Sequence, residues 1–269
     1  MIEERKIAVI DLDSVIFTAF HPNKKLDEKK IPIRENNKFV YVEKTESEIK
    51  DCCDSLMHMI LSSSKATHYI GFVKGVDTIK ARRAINPDYK ANRSKESPQH
   101  WNLCKNYLIS NWGAIVCNNA EVDDYVNITR LNLRGAYLVA IDGDLLGLET
   151  FEKDHYNWRT FKWITVTKGE ASHKFWFDMI KGQTVDNIKG IKGIGEVGAI
   201  KILDGSTFPA ARVLKNYIMI YGEEVGIDEY YKNYKSLKIL DNWDGFIIPE
   251  PIEYKRIDKE ENNKYKIDF

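Results

Sequence analysis

The chain alternates short, uninterrupted apolar runs with longer stretches in which apolar residues recur every three or four positions. The first run, 6–13 (KIAVIDLD), ends in carboxylates and reads as a buried parallel strand. Runs 67–73, 113–117 and 135–142 (GAYLVAID) are of the same type. Thr45-Glu46-Ser47-Glu48 forms a capping box, and Ile49, Cys53, Leu56 and Ile60 follow at helical spacing, which predicts a helix to about Ser63. Helical patterns return at 99–111 and 121–133. This alternation predicts an α/β fold, a mostly parallel sheet flanked by helices on both faces. The Lys-rich segment 22–44 carries two alternating pieces, IPIR and KFVYVE, and reads as an inserted hairpin.

After residue 167 the texture changes. A helical pattern at 168–180 leads into a glycine-rich stretch, 182–205, and further helical patterns follow at 208–221 and 226–237. The tail, 251–269, is charged and weakly apolar, which predicts an extended or partly mobile arm. The expected division is a sheet domain over 1–170, a smaller helical module over 171–250 and the tail.

Open α/β sheets gather ligands at the carboxyl ends of their strands. Three acidic groups fall there. Asp11 ends the first strand, Glu121-Val122-Asp123-Asp124 opens a helix, and Asp142-Gly143-Asp144 ends the fourth strand. Glu121 and Asp124, three apart, share one helical face. Each group alone has an ordinary explanation: acids suit a helix start, and Asp-Gly-Asp suits a turn. Together they suit a hard cation such as magnesium, which takes oxygen ligands and neutralises carboxylates that otherwise repel one another.

Charge changes the picture locally. Forty basic and forty acidic residues cancel, which excludes a globally basic nucleic-acid binder. Yet Lys74, Lys80, Arg82, Arg83, Lys90, Arg93 and Lys95 face only Asp77 and Asp88 within one short stretch. A basic phosphate track opposite an acidic metal site would give this balance. No apolar run reaches the roughly 18–20 residues that span a bilayer, and the charged start lacks the apolar region of a signal peptide. A soluble, cytoplasmic protein is expected. Cys52, Cys53, Cys104 and Cys117 form no CxxC pair, so reduced thiols are expected.

Residues 191–199 (IKGIGEVGA) have the form apolar-x-Gly-apolar-Gly-x-x-x-Ala, a helix–hairpin–helix pattern. Its glycines permit a tight turn and close approach to a phosphate, and the helix start behind them offers amide N–H groups to the anion. Lys192, Gly193, Ile194, Gly195 and Gly198 are the candidate DNA-backbone contacts.

The ordered set AVIDLD, PDYKANR, EVDD, IDGD and VDNIKGIKGIGEVGA resembles the 5′-nuclease family of phage 5′-exonucleases, flap endonucleases and the nuclease domain of bacterial DNA polymerase I. The likeness spans roughly residues 7–203. It implies a PIN-like sheet domain followed by a helix-three-turn-helix module. It implies hydrolysis of DNA at 5′ ends, flaps or junctions, in phage-type replication or repair, by a monomer in the host cytoplasm if the chain is phage-encoded. RNA–DNA hybrids are a further substrate that the resemblance admits. Two magnesium ions are implied, with manganese able to substitute, and a potassium ion at the hairpin. By position, Asp11, Glu121, Asp123, Asp124, Asp142, Asp144 and Asp186 resemble the metal-binding acids. Tyr89, Lys90 and Arg93 resemble the basic segment at the arch base, and Arg82 an upstream basic position. Lys90 and Arg93 would hold the scissile phosphate, and Tyr89 would stack on an unpaired base.

Three features depart from the pattern. The acid expected at the end of the second strand, near Val73, is missing, and Asp77 follows late. Gln183 stands where an acid is expected, which predicts a weakened second metal. The stretch from Arg93 to Glu121 is short, which predicts a reduced arch over 94–112. Two rival functions are a branched-DNA binding protein with weakened catalysis and a PIN-type ribonuclease. The DNA-type hairpin at 191–199 speaks against the second.

Overall fold

The computed structural model describes residues 6–29, 31–94, 98–151 and 154–256. Residues 1–5, Lys95 and the tail beyond 256 lie outside the described residues.

The chain opens with strand β1 (Ile7–Asp11) and helix α1 (Asp13–Phe20). Four two-residue strands follow, β2 (Asn23–Lys24), β3 (Arg34–Glu35), β4 (Lys38–Phe39) and β5 (Tyr41–Val42). They pair antiparallel as β2 with β5 and β3 with β4, so the expected insertion is a nested hairpin. Helix α2 (Glu46–Ser63) starts at Thr45 with the expected capping box. Next come β6 (His68–Lys74), α3 (Lys80–Ile85), α4 (Trp101–Trp112), β7 (Ile115–Cys117), α5 (Val122–Asn132), β8 (Ala136–Ala140) and α6 (Gly143–Leu146). A strand pair, β9 (His155–Asn157) and β10 (Lys162–Ile164), precedes α7 (Lys168–Lys181), β11 (Gly182–Gln183) and β12 (Ile188–Lys189). Helices α8 (Glu196–Leu203), α9 (Pro209–Tyr221) and α10 (Glu223–Leu237) lead to a last strand, β13 (Ile252–Glu253).

β1 lies at the centre of the sheet, parallel to β6 on one side and β8 on the other, in the order β10-β9-β8-β1-β6. β7 extends the far end of β6 in parallel, and β13 joins its near end antiparallel. Alternate residues of β1 serve opposite faces, as the two-residue repeat of a strand requires. Ala8 and Ile10 pack with α1, α2 and α4 through Leu12, Ile16, Leu56, Leu108 and Trp112. Ile7 and Val9 pack with α5 and α6 through Val122, Val126 and Leu145. Both faces are covered, which is why β1 reads as an unbroken apolar run. A third core of Met179, Ile180, Ile191, Ala199, Val213, Tyr217 and Tyr230 holds α7 to α10 together.

The tail expectation is corrected for its described part. Ile252 and Glu253 pair with Tyr69 and His68, and the Tyr254 hydroxyl lies 2.9 Å from that of Ser62, so 252–254 is fixed to the sheet. In the stretch expected to form a reduced arch, the described helix is α4, buried through Trp101, Cys104, Leu108 and Trp112 against the sheet side. All four cysteines are free thiols. Among the described residues no helix is long and apolar enough to cross a membrane.

Candidate active site

The carboxyl ends of β1 and β8 point to one side of the sheet. Asp11, the last residue of β1, accepts the Asp13 N–H at 3.0 Å and is 6% exposed. Asp13 starts α1, and its carboxylate accepts the Lys74 N–H at 2.9 Å, at the end of β6. It therefore stands at the strand end where the sequence lacks the expected acid. Asp142 caps α6, accepting the N–H groups of Asp144 at 2.6 Å and Leu145 at 3.4 Å. Asp123 lies in the first turn of α5.

Electrostatics mark this group as unneutralised. Burial, then Asp13 and Asp142, hold the Asp11 carboxyl well above the ordinary carboxylate range. Burial, then Asp11, Asp142 and Glu121, do the same to Asp123. Asp13 is pushed up to about 6, chiefly by burial and against the relief given by the Lys74 N–H. Among the described residues no basic side chain forms an ion pair with Asp11, Asp13, Asp123 or Asp142. As they lie, no three acidic, histidine or cysteine side chains among the described residues close up into a cage for a bare ion. Four like-charged groups brought together at the strand ends are stabilised by a cation, and magnesium keeps several of its waters, so a tight cage is not required. The residues present fit a hydrated divalent ion.

The other acids are already partnered. Asp124 is 1% exposed and takes a two-pronged contact from Arg82 at 2.8 Å on each oxygen. It also accepts the N–H groups of Glu121 and Leu240. Both oxygens of Asp124 are thus taken up by partners within the chain. Arg82 also donates to Glu121 at 2.6 Å and to the Lys238 carbonyl, which makes it a buried clamp and corrects its place in a phosphate track. Glu121 further accepts the Tyr89 hydroxyl at 2.6 Å and the Lys90 ammonium. Burial opposes its charge, but Lys90 and Arg82 outweigh that and hold its carboxyl below the ordinary range.

Tyr89 is 2% exposed, with its hydroxyl between Glu121 and Asp186 at 2.6 and 3.2 Å. The ring, expected to stack on a base, is buried here. Lys90 adopts φ of 53°, a left-handed backbone that a long side chain rarely takes, and its N–H bonds to the Asp186 carbonyl at 2.8 Å. Asp186 accepts Arg93 at 2.6 Å, and Arg93 is half exposed. Lys90 and Arg93 are thus each paired with an acid at the edge of the group. Asp144 lies apart, bonded to Lys174 and Gln183.

Two more functional candidates escaped the sequence reading. Asp13 was signalled by its place two residues after Asp11, and Lys174 with Asp178 by their i,i+4 spacing on α7 facing Gln183.

At the hairpin, Gly193 has φ of 78°, so the turn needs glycine there. A side chain added at Gly193 or Gly195 would meet no atom of the chain, so this backbone faces open space. At Gly198 an added Cβ would lie 2.7 Å from Ile194 Cγ2, so this glycine serves packing. Gly193, Ile194 and Gly195 border a cavity of about 660 Å³ with Lys192, Lys189 and Lys232 on its walls.

No protein-family model matches the sequence, and no curated protein does. Solved structures do match. The T5 D15 protein co-crystallised with metal ions superposes with a TM-score of 0.59, at 16% identity, over 87% of this chain and 91% of that one. The T5 5′-exonuclease with bound zinc gives 0.57 at 17% identity, over 87% and 86%. A bacteriophage T5 flap endonuclease in a pseudo-enzyme–product complex with DNA and metal ions gives 0.51 at 16% identity, over 87% and 98%. The chain shares the PIN-like α/β fold of these proteins.

Proposed function

We propose that the chain is a 5′-nuclease of the family these structures represent, hydrolysing DNA phosphodiesters with a divalent metal. The observation that supports it most is a group of carboxylates that have no ion-pair partner among the described residues: buried Asp11, half-buried Asp13 and Asp123, and exposed Asp142, gathered at the carboxyl ends of the central strands and the start of α5. Magnesium bound there, or manganese in its place, would supply the positive charge and acidified water that phosphodiester hydrolysis needs. Asp11, Asp123 and Asp142 would hold it, with Asp13 added from the start of α1. Glu121 would face it from one side while held by Lys90.

The remaining roles fall to this chain's own groups. Arg93, half exposed, can exchange Asp186 for a phosphate oxygen of the substrate, while Lys90, buried against Glu121, would reach a phosphate only by letting go of that carboxylate. Tyr89 positions Glu121 and Asp186. The backbone at Gly193 and Gly195 would receive a duplex phosphate, with potassium at the same turn, and would hold the duplex without reading its sequence. The substrates would be DNA 5′ ends, flaps or junctions, met during replication or repair, and the enzyme would act as a monomer.

The deciding experiment incubates the purified chain with matched DNA and RNA 5′-flap substrates, with and without magnesium. Metal-dependent cleavage of the DNA flap, lost in Asp11→Asn, is expected. Binding without turnover would reject catalysis, and preference for the RNA flap would favour a ribonuclease. Gly193→Val should weaken duplex binding in the same assay, and wild-type binding should fall steeply with salt.

A further inference from the structure

One acidic cluster beside the centre already contains a cation of the protein's own. Lys174 Nζ lies 2.6 Å from Asp144 Oδ1 and 3.0 Å from Asp178 Oδ2. Gln183 Nε2 lies 3.2 and 3.4 Å from the two Asp144 oxygens and 3.2 Å from Asp178 Oδ2. The four side chains line a single cavity of about 490 Å³ walled by α5, α6, α7 and α10.

The lysine has a shaped seat. A Cβ at Gly147 would lie 2.5 Å from Lys174 Cδ and 3.0 Å from the Gly143 carbonyl, so glycine at 147 makes room for the aliphatic stem. The ammonium then emerges between two carboxylates contributed by different elements, α6 and α7. Gln183, at the end of β11, must turn its NH₂ toward the acids, because its oxygen would repel them.

This arrangement does not suit a second divalent ion. Magnesium demands six oxygen donors in strict geometry and gives up water reluctantly. Both Asp144 oxygens already accept N–H donors, the amide presents hydrogen where a ligand oxygen is needed, and an ammonium would stand next to a doubly charged ion. We propose that Lys174 replaces the second metal: its ammonium, seated on Asp144 and Asp178 with Gln183 closing the ring, is the resident cation, and the chain binds a single divalent ion at Asp11, Asp123 and Asp142. The inference rests on the metal-dependent reading above. It makes Asp144 a seat for lysine and leaves Asp186 to Arg93, so neither serves as a ligand in this chain.

The test counts bound manganese by electron paramagnetic resonance in the full-length, DNA-free protein. The wild type should bind one equivalent. The double variant Lys174→Met with Gln183→Asp should bind two, since it removes the cation and adds a carboxylate. Lys174→Arg, which keeps the charge, should stay at one and shows that altering this side chain alone does not open a site. Two equivalents in the wild type would overturn the proposal, and so would a folded double variant that still binds one. Should the double variant not fold, the wild-type count decides alone. No manganese bound by any of these proteins would overturn the metal-dependent reading itself, an outcome distinct from a count of one or two throughout.

Discussion

Two acidic regions lie side by side and are built on opposite principles. At the ends of β1 and β8, Asp11, Asp13, Asp123 and Asp142 face one another with no basic side chain paired to them among the described residues. Around them, Asp124, Glu121, Asp186, Asp144 and Asp178 each hold an arginine or lysine. The first region is costly to the isolated chain, because like charges brought close together repel. The second sets four basic side chains, Arg82, Lys90, Arg93 and Lys174, against its five acids, so most of its charge is balanced within the chain. The difference separates carboxylates without an ion-pair partner among the described residues from carboxylates that fix the frame, and position in the sequence alone does not: Asp123 and Asp124 are neighbours with opposite surroundings.

The largest expected effect breaks the comparison through activity. Asp123→Asn or Asp142→Asn should lower cleavage of a 5′-flap by well over the roughly 10–100-fold that outer partners of a metal site cost, while Asp144→Asn should stay within that range. Equal losses in a single-turnover assay would erase the distinction. In the same series Asp123→Asn should raise the melting temperature of the metal-free protein, since a repelling charge is removed.

A second experiment attacks the neutralised side. Arg82 is 10% exposed in its side chain and serves Asp124, Glu121 and a carbonyl, so Arg82→Met should cost about 3–5 kcal/mol, the price of orphaning a buried charge. Asp124→Leu added to Arg82→Met should recover part of it. Denaturant unfolding of the two variants checks this, and full additivity would deny the pairing.

A third measurement uses a group that avoids charge altogether. His155, 1% exposed on β9, is held down to about 4, first by burial and then by Arg130, against relief from the Leu146 backbone and Asp154. Its folded value lies below its unfolded one. The stability this gives is therefore present above pH 6.5 and fades as the pH falls toward 4. A shift of this size corresponds to at most about 3 kcal/mol. In His155→Phe that slope should vanish, and an unchanged profile would assign it to other groups.

The smallest effect concerns the exposed edge of the second region. Lys174 and Asp144 keep 40% and 42% of their side-chain surface, so breaking their pair with Asp144→Asn should cost under about 1 kcal/mol and nothing at high salt. A larger loss would place the pair among the buried clamps.

Much of this architecture was legible from pattern. β1, β6 and β8 announced themselves because they are buried on both faces, and α2 because its capping box survives folding intact. α1 was hidden, because its apolar residues continue the apolar run of β1 and it has no polar side chain as a cap. β13 was hidden in a charged tail, because two residues joined to the sheet through backbone leave no pattern. The acids of the site were visible by their place at strand ends. What each one touches was not. The partner of Asp124 is 42 residues upstream, that of Asp144 is 30 downstream, and only the fold chooses between a cation supplied by the chain and one taken from solution.

The clamp at Asp124 also bears on how the molecule comes to be made. Arg82 meets Lys238 across 156 residues, Asp124 meets Leu240 across 116, and Tyr254 meets Ser62 across 192. Closing loops of that length adds little thermodynamic penalty, since the entropy grows only with the logarithm of length. It slows the search, because no local reward accrues before the ends arrive. The bonds that fix the start of α5, and with it Asp123, are completed only after residues 238–240 have docked. A nascent chain released before that point would have its sheet-forming segments and its acidic residues but lack the contact that aims them, so the acidic site is completed as a late event of synthesis.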